Sequence, residues 1–130
     1  MRWRSQTGCP RTTTCAAGSC CWRPARSAPP ASWVSRWMRG LGERGILDAV
    51  AGVVVARPPV SDFEFLPTPD EADALRAAQR DAVIETVSRY NPDAVVCVGV
   101  PFGHTRPQWI VPYGGTMVLD GAARTVTATY

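Results

Sequence analysis

Ala94-Val95-Val96-Cys97-Val98-Gly99-Val100-Pro101-Phe102-Gly103-His104-Thr105 is the stretch on which the reading of this chain turns. Its first seven residues are all apolar or small, and four are valines. A half-exposed strand would alternate, so this run predicts a strand buried on both faces. Proline lacks the N–H that a ladder needs, and Pro101 ends the run. Gly103-His104-Thr105 then lies on a loop at the carboxyl mouth of a buried strand, where α/β folds place functional side chains. A lone histidine is more often a surface or packed residue than a catalytic one, but this setting makes His104 the candidate. Cys97, within the run, reads as a small core residue rather than a reactive thiol.

Upstream, Thr68-Pro69-Asp70-Glu71 is a helix start: Thr68 caps, Pro69 suits the first helical position and Glu71 completes a capping box. Leu75, Ala78, Ala82, Thr86 and Tyr90 share one face, with Val83 and Val87 beside them, and Asn91-Pro92 ends the helix. Residues 60–67 read as a loop. Gly52-Val53-Val54-Val55-Ala56 is a second buried strand, closed by Arg57-Pro58-Pro59. Before it, Val34, Trp37, Met38 and Leu41 keep helical spacing. Ser32 is the candidate N-cap and Gly45 the stop. Downstream, Gly115–Leu119 and Thr125–Tyr130 flank an Asp120-Gly121 turn and predict a terminal hairpin. Helix, strand, helix, strand, hairpin is the pattern of an α/β domain, with buried strands, two helices and a terminal hairpin.

The chain has 130 residues, 45% of them apolar, which suits one small domain. No apolar run approaches a membrane span and no secretory signal opens the chain, so the expectation is a cytoplasmic protein without membrane contact. The net charge of +3 is unevenly spread. Residues 1–30 hold five arginines and no acid, while residues 31–130 hold nine arginines and eleven acids. The part expected to fold is therefore mildly acidic, which argues against a nucleic-acid partner. There is no lysine, and the wealth of Arg, Ala, Gly and Pro suggests a GC-rich gene. Cys9, Cys15, Cys20 and Cys21 form no C-x-x-C pair and the only histidine is far downstream, so neither a metal site nor a cofactor is expected. A disulfide framework would need an oxidising compartment, to which nothing points.

Residues 1–31 have neither helical nor strand periodicity. They read as a disordered segment, and an Arg-rich, acid-free leader is also the composition of an organelle transit peptide.

Phe102-Gly103-His104-Thr105, then Val111-Pro112-Tyr113-Gly114, then Val118-Leu119-Asp120, resembles the end of the LD-carboxypeptidase and microcin-immunity serine peptidases. Val34-Ser35-Arg36-Trp37-Met38-Arg39, Gly45-Ile46-Leu47 and Gly52-Val53-Val54-Val55-Ala56-Arg57-Pro58 resemble the same family, whose strand commonly ends in Gly-Arg-Pro; here Ala56 replaces the glycine. The likeness covers residues 32–130. It implies the small C-terminal α/β domain of a two-domain hydrolase that acts on a murein tetrapeptide or a peptidyl-nucleotide. In that family an amino-terminal domain supplies the nucleophilic serine, and the C-terminal domain supplies a glutamate and a histidine. By this match His104 is the general base, and the glutamate orients its ring. The serine domain and the glutamate are both missing from the chain as translated. Glu43 lies on the helix and does not match.

The family's strand before the first helix ends in Leu-Glu-Thr-Ser-Glu-Glu. Residues 18–27 can be written with the codons GGC TCC TGC TGC TGG AGA CCA GCG AGG AGC. Read from the third base, these give Leu-Leu-Leu-Leu-Glu-Thr-Ser-Glu-Glu. Overlapping leucine codons become the cysteines, and glutamate codons become arginine and serine. The leader thus reads as frameshifted, with the triad glutamate encoded across Trp22 and Arg23 and the frame regained between Ala28 and Ser32. Two other readings stand beside this inactive peptidase fragment. One is a stand-alone module that holds a peptide carboxylate through the His104 loop, Arg57 and Arg106. The other is a targeted or nucleic-acid-associated protein led by residues 1–30. An apolar face left by the missing domain implies a possible homo-oligomer.

Overall fold

The computed structural model describes residues 2–4, 12–15, 19–22, 29–61, 64–112 and 115–130, the first three of these groups as backbone only. The elements in order are β1 (Arg2–Arg4), β2 (Thr12–Cys15), β3 (Ser19–Trp22), α1 (Ala31–Glu43), α2 (Ile46–Ala49), β4 (Gly52–Ala56), α3 (Pro69–Tyr90), β5 (Val95–Val100), β6 (Thr116–Asp120) and β7 (Thr125–Thr129).

Two sheets and a helical layer make three layers. One sheet has the order β1-β5-β4-β3, with β3, β4 and β5 mutually parallel and β1 antiparallel to β5. The other is antiparallel, in the order β2-β6-β7. The two valine-rich runs are neighbours at the centre, paired from Gly52 opposite Val95 onward. Side chains alternate across a strand, and the uninterrupted burial follows from having both faces covered. Val53, Val55, Val96 and Val98 meet Val34 and Met38 of α1, Leu47 of α2, and Val83 and Val87 of α3. Val54, Ala56, Val95, Cys97 and Val100 meet Phe102 and the Met117 and Leu119 side chains of β6. Each fully buried valine contributes about 1.5 kcal/mol or more.

Thr68 and Glu71 form the expected capping box: the Glu71 carboxylate accepts from the Thr68 backbone N–H at 2.8 Å, and the Thr68 hydroxyl accepts from the Glu71 N–H at 3.4 Å. Gly45 takes the left-handed conformation at φ 72°, as its place after α1 requires. Three details differ from the sequence reading. First, α1 begins at Ala31 without a side-chain cap, because the Pro30 carbonyl accepts from Trp33 and Val34, so Ser32 does not cap. Second, a further one-turn helix, α2, begins at Ile46 between α1 and β4, where the sequence pattern predicts two helices in all. Third, the buried stripe of α3 runs through Ala72, Gln79, Ala82, Val83 and Val87, so Ala82, Val83 and Val87 are buried as expected while Ala78 faces out. Gln79 was invisible as a core residue because it is polar; it is 3% exposed and its Nε2 donates to the Pro29 carbonyl at 2.6 Å. Pro29 is itself buried, so the packed unit begins a little before residue 32. Of residues 1–31, expected to be a disordered leader, the described parts are the three short strands and Pro29–Ala31; the rest lies outside the described residues. No helix among the described residues is long and apolar enough to cross a membrane.

Candidate functional site

Because β3, β4 and β5 are parallel, their carboxyl ends share one edge of the sheet. The edge is shaped by a register shift. Val55 pairs with Val98 but Ala56 pairs with Val100, so Gly99 is passed over, and it sits at φ 88°. A positive φ suits glycine, which has no Cβ to clash. The bulge turns Val100 back into the core beside Ala56 and sends the chain out as the segment Pro101–Trp109.

That segment is closed by the backbone. The Val100 carbonyl accepts from Arg57 and from Phe102, each at 2.8 Å. Trp109 N–H returns to the Pro101 carbonyl at 2.6 Å. Gly103 takes φ 104°, again a glycine conformation, and its carbonyl accepts from Gln108 Nε2 at 2.5 Å. Pro101, Phe102 and Gly103 are buried, whereas His104 is exposed at the tip. An exposed imidazole on a buried, cross-braced base can act as a proton acceptor or hydrogen-bond donor toward anything docked at this edge. Among the described residues no side chain is bonded to it. The Thr105 hydroxyl is buried without a partner there.

The structure brings Arg57 to the same edge, half-buried at the end of the central strand, and leaves Arg106 exposed on the loop. Tyr113 and Gly114 of the resembling motif lie outside the described residues. Cys97 is buried, and burial pushes its thiol up to about 11, which leaves it protonated and inert at neutral pH. Gln108 was missed by sequence reasoning. Its signal is positional only, a donor five residues beyond a positive-φ glycine. Beside the loop, a groove of about 320 Å³ is lined by Val100, Trp109, Ile110, Met117, Val126 and Tyr130. No group of His, Cys, Asp and Glu among the described residues could hold a metal ion.

Residues 27–119 match the profile of the LD-carboxypeptidase C-terminal domain. Among solved structures, the fold is similar to MccF in complex with glutamyl sulfamoyl guanosine, at 15% identity and a TM-score of 0.63, over 86% of this chain and 30% of that one. It is also similar to the microcin C7 self-immunity protein MccF in complex with aspartyl sulfamoyl adenosine, at 16% identity and a TM-score of 0.59, over 80% of this chain and 28% of that one. The chain therefore spans less than a third of the length of these structures. The comparison with curated proteins returned no match.

Proposed function

Because the chain belongs to the LD-carboxypeptidase C-terminal domain family, we propose that it is the carboxy-terminal part of an LD-carboxypeptidase-like serine peptidase. It carries the triad's histidine as His104 and lacks the serine and the glutamate. The observation that carries this reading is the shared sheet edge. β3 ends at Trp22, on the same side as the loop that leaves β5 at Val100. With the codons given above, the shifted frame would write glutamate across Trp22 and Arg23. Adjacent strands are about 4.8 Å apart, so these two ends are roughly 10 Å apart across β4. A glutamate and a histidine side chain together bridge such a gap.

In the complete enzyme His104 would take the proton of the serine hydroxyl and return it to the leaving amine, with the glutamate holding the imidazole in the right tautomer. Among the described residues no side-chain carboxylate is bonded to the ring, and on this reading the segment forms no acyl-enzyme by itself. The substrate class belongs to the complete protein: a murein tetrapeptide or a peptidyl-nucleotide, the latter in keeping with the sulfamoyl nucleotides in the MccF structures. The setting is the cytoplasm, and the apolar groove beside the loop favours a homo-oligomer. The nucleotide sequence tests the fragment reading. We expect a one-base shift over codons 18–27 to give Leu-Glu-Thr-Ser-Glu-Glu, with an open frame for a serine domain upstream. Codons that encode no such motif in any frame would overturn it.

A second reading has its own observation. Arg57 forms no side-chain ion pair among the described residues. A half-buried guanidinium beside the His104 loop is a counter-charge for a peptide carboxylate. Binding of a D-alanine-terminated peptide by this chain, lost in Arg57→Ala, would favour that module.

A further inference from the structure

We propose that Gln108 is a positioning residue that fixes the direction in which His104 leaves its loop. The two are linked through one peptide unit. Gln108 Nε2 donates to the Gly103 carbonyl at 2.5 Å. That carbonyl belongs to the planar group that also contains the His104 N–H and Cα. Holding the oxygen therefore fixes the plane from which the His104 side chain projects. The bond matters here because Gly103 sits at φ 104°. Glycine is the residue with the widest backbone freedom, so without a restraint this peptide is the first in the loop to rotate.

The rest of the loop is braced by backbone bonds. Phe102 N–H is tied to Val100, and Trp109 N–H to Pro101. Between them, the Gly103–His104 peptide receives its brace from the side chain of Gln108, an exposed residue whose amide makes this bond in a part-buried position. A long glutamine loses rotamer freedom when it is ordered, and here it is ordered onto the carbonyl of a buried residue in a part-buried bond. The bond thus satisfies that carbonyl and, through the shared peptide plane, restrains His104.

The inference rests on the reading of His104 as the base, but its test needs no turnover. The chain has a single histidine, so the ring gives one unambiguous proton–carbon NMR signal in the full-length protein. Gln108→Met keeps the length and apolar stem but removes the donor; Gln108→Lys restores a donor of similar reach. A hydrogen bond worth about 1 kcal/mol net corresponds to roughly a fivefold change in local opening. We expect Gln108→Met to move the His104 ring signal toward its position in a free peptide. The Trp109 amide should exchange about fivefold faster while the Val54 and Val96 amides stay unchanged, and Gln108→Lys should return both probes toward wild type. An unmoved ring signal in Gln108→Met, or core amides that speed up by the same factor as Trp109, would overturn the proposal. If the catalytic reading alone fails, the ring and Trp109 responses remain while a complete enzyme works without His104.

Discussion

The backbone N–H of Arg57 donates to the carbonyl of Val100 at 2.8 Å, joining the end of the central strand to the root of the histidine loop. The same carbonyl accepts from Phe102, so the first turn of the loop and the last residue of the sheet share one anchor. Both faces below that anchor are core: Val100 is buried on the β6 side and Val98 on the helix side. The loop is therefore only as well placed as the valine-rich pair beneath it.

Val54→Asp tests that dependence. Val54 is fully buried between the two sheets. An unpaired charge there costs on the order of 4 kcal/mol or more, most of the stability of a small domain. Far-ultraviolet circular dichroism should show an unfolded chain at room temperature. A well-folded Val54→Asp protein would mean the core lies elsewhere.

Two glycines on α1 should respond to alanine with opposite signs. Replacing a mid-helix glycine usually gains about 0.5–1 kcal/mol, and a Cβ at Gly40 meets nothing within 4 Å. At Gly42 the Cβ would fall 2.3 Å from the Tyr90 ring. That ring is held by its hydroxyl, which donates to Glu43. Thermal melts should show Gly40→Ala above wild type and Gly42→Ala below it; the same sign at both sites would contradict the α1–α3 contact.

The start of α3 should carry a small acid sensitivity. Hydrogen bonds from the Thr68 backbone and hydroxyl hold the Glu71 carboxyl below its ordinary value of 4.5. A depressed folded-state value stabilises above the unfolded value, and the gain is lost as pH falls through the folded one. The contribution is thus present above about pH 4.5 and fades below it. Glu71→Gln should flatten the melting curve of stability against pH in that acid window and leave its slope near neutrality unchanged. An unaltered acid limb would contradict the capping box.

Trp109, Ile110 and Tyr130 are 47%, 81% and 83% exposed around the groove beside the loop. An apolar patch of this kind favours association. Sedimentation should show concentration-dependent self-association that Ile110→Lys weakens. A monomer at every concentration would remove the proposed homo-oligomer.

The central strands, both main helices and the hairpin were legible because each has a signal of its own: β-branched runs, a capping box, an Asp-Gly turn. The capping of α1 was not, since a backbone carbonyl at Pro30 does what the nearby Ser32 hydroxyl was expected to do. The burial of Gln79 depends on a carbonyl 50 residues away, which no local pattern records. At the site, His104 stood out by its place after a buried strand, whereas the bulge at Gly99 and the brace from Gln108 are products of strand pairing and loop closure. The antiparallel sheet beneath the core was half legible, since its hairpin has a turn signal but its packing on Val54 and Cys97 does not.

The most direct measurement of the central claim is turnover of an LD-linked tetrapeptide by three proteins. These are the present chain, a rebuilt enzyme with the frame rejoined over residues 18–27 and a serine domain fused upstream, and that enzyme with His104→Ala. A triad acts as a unit, so its parts fail together. The account predicts no turnover by the present chain, turnover by the rebuilt enzyme, and a loss of about a thousandfold or more on removing His104. Full activity in the rebuilt His104→Ala enzyme, or turnover by the present chain alone, would contradict it.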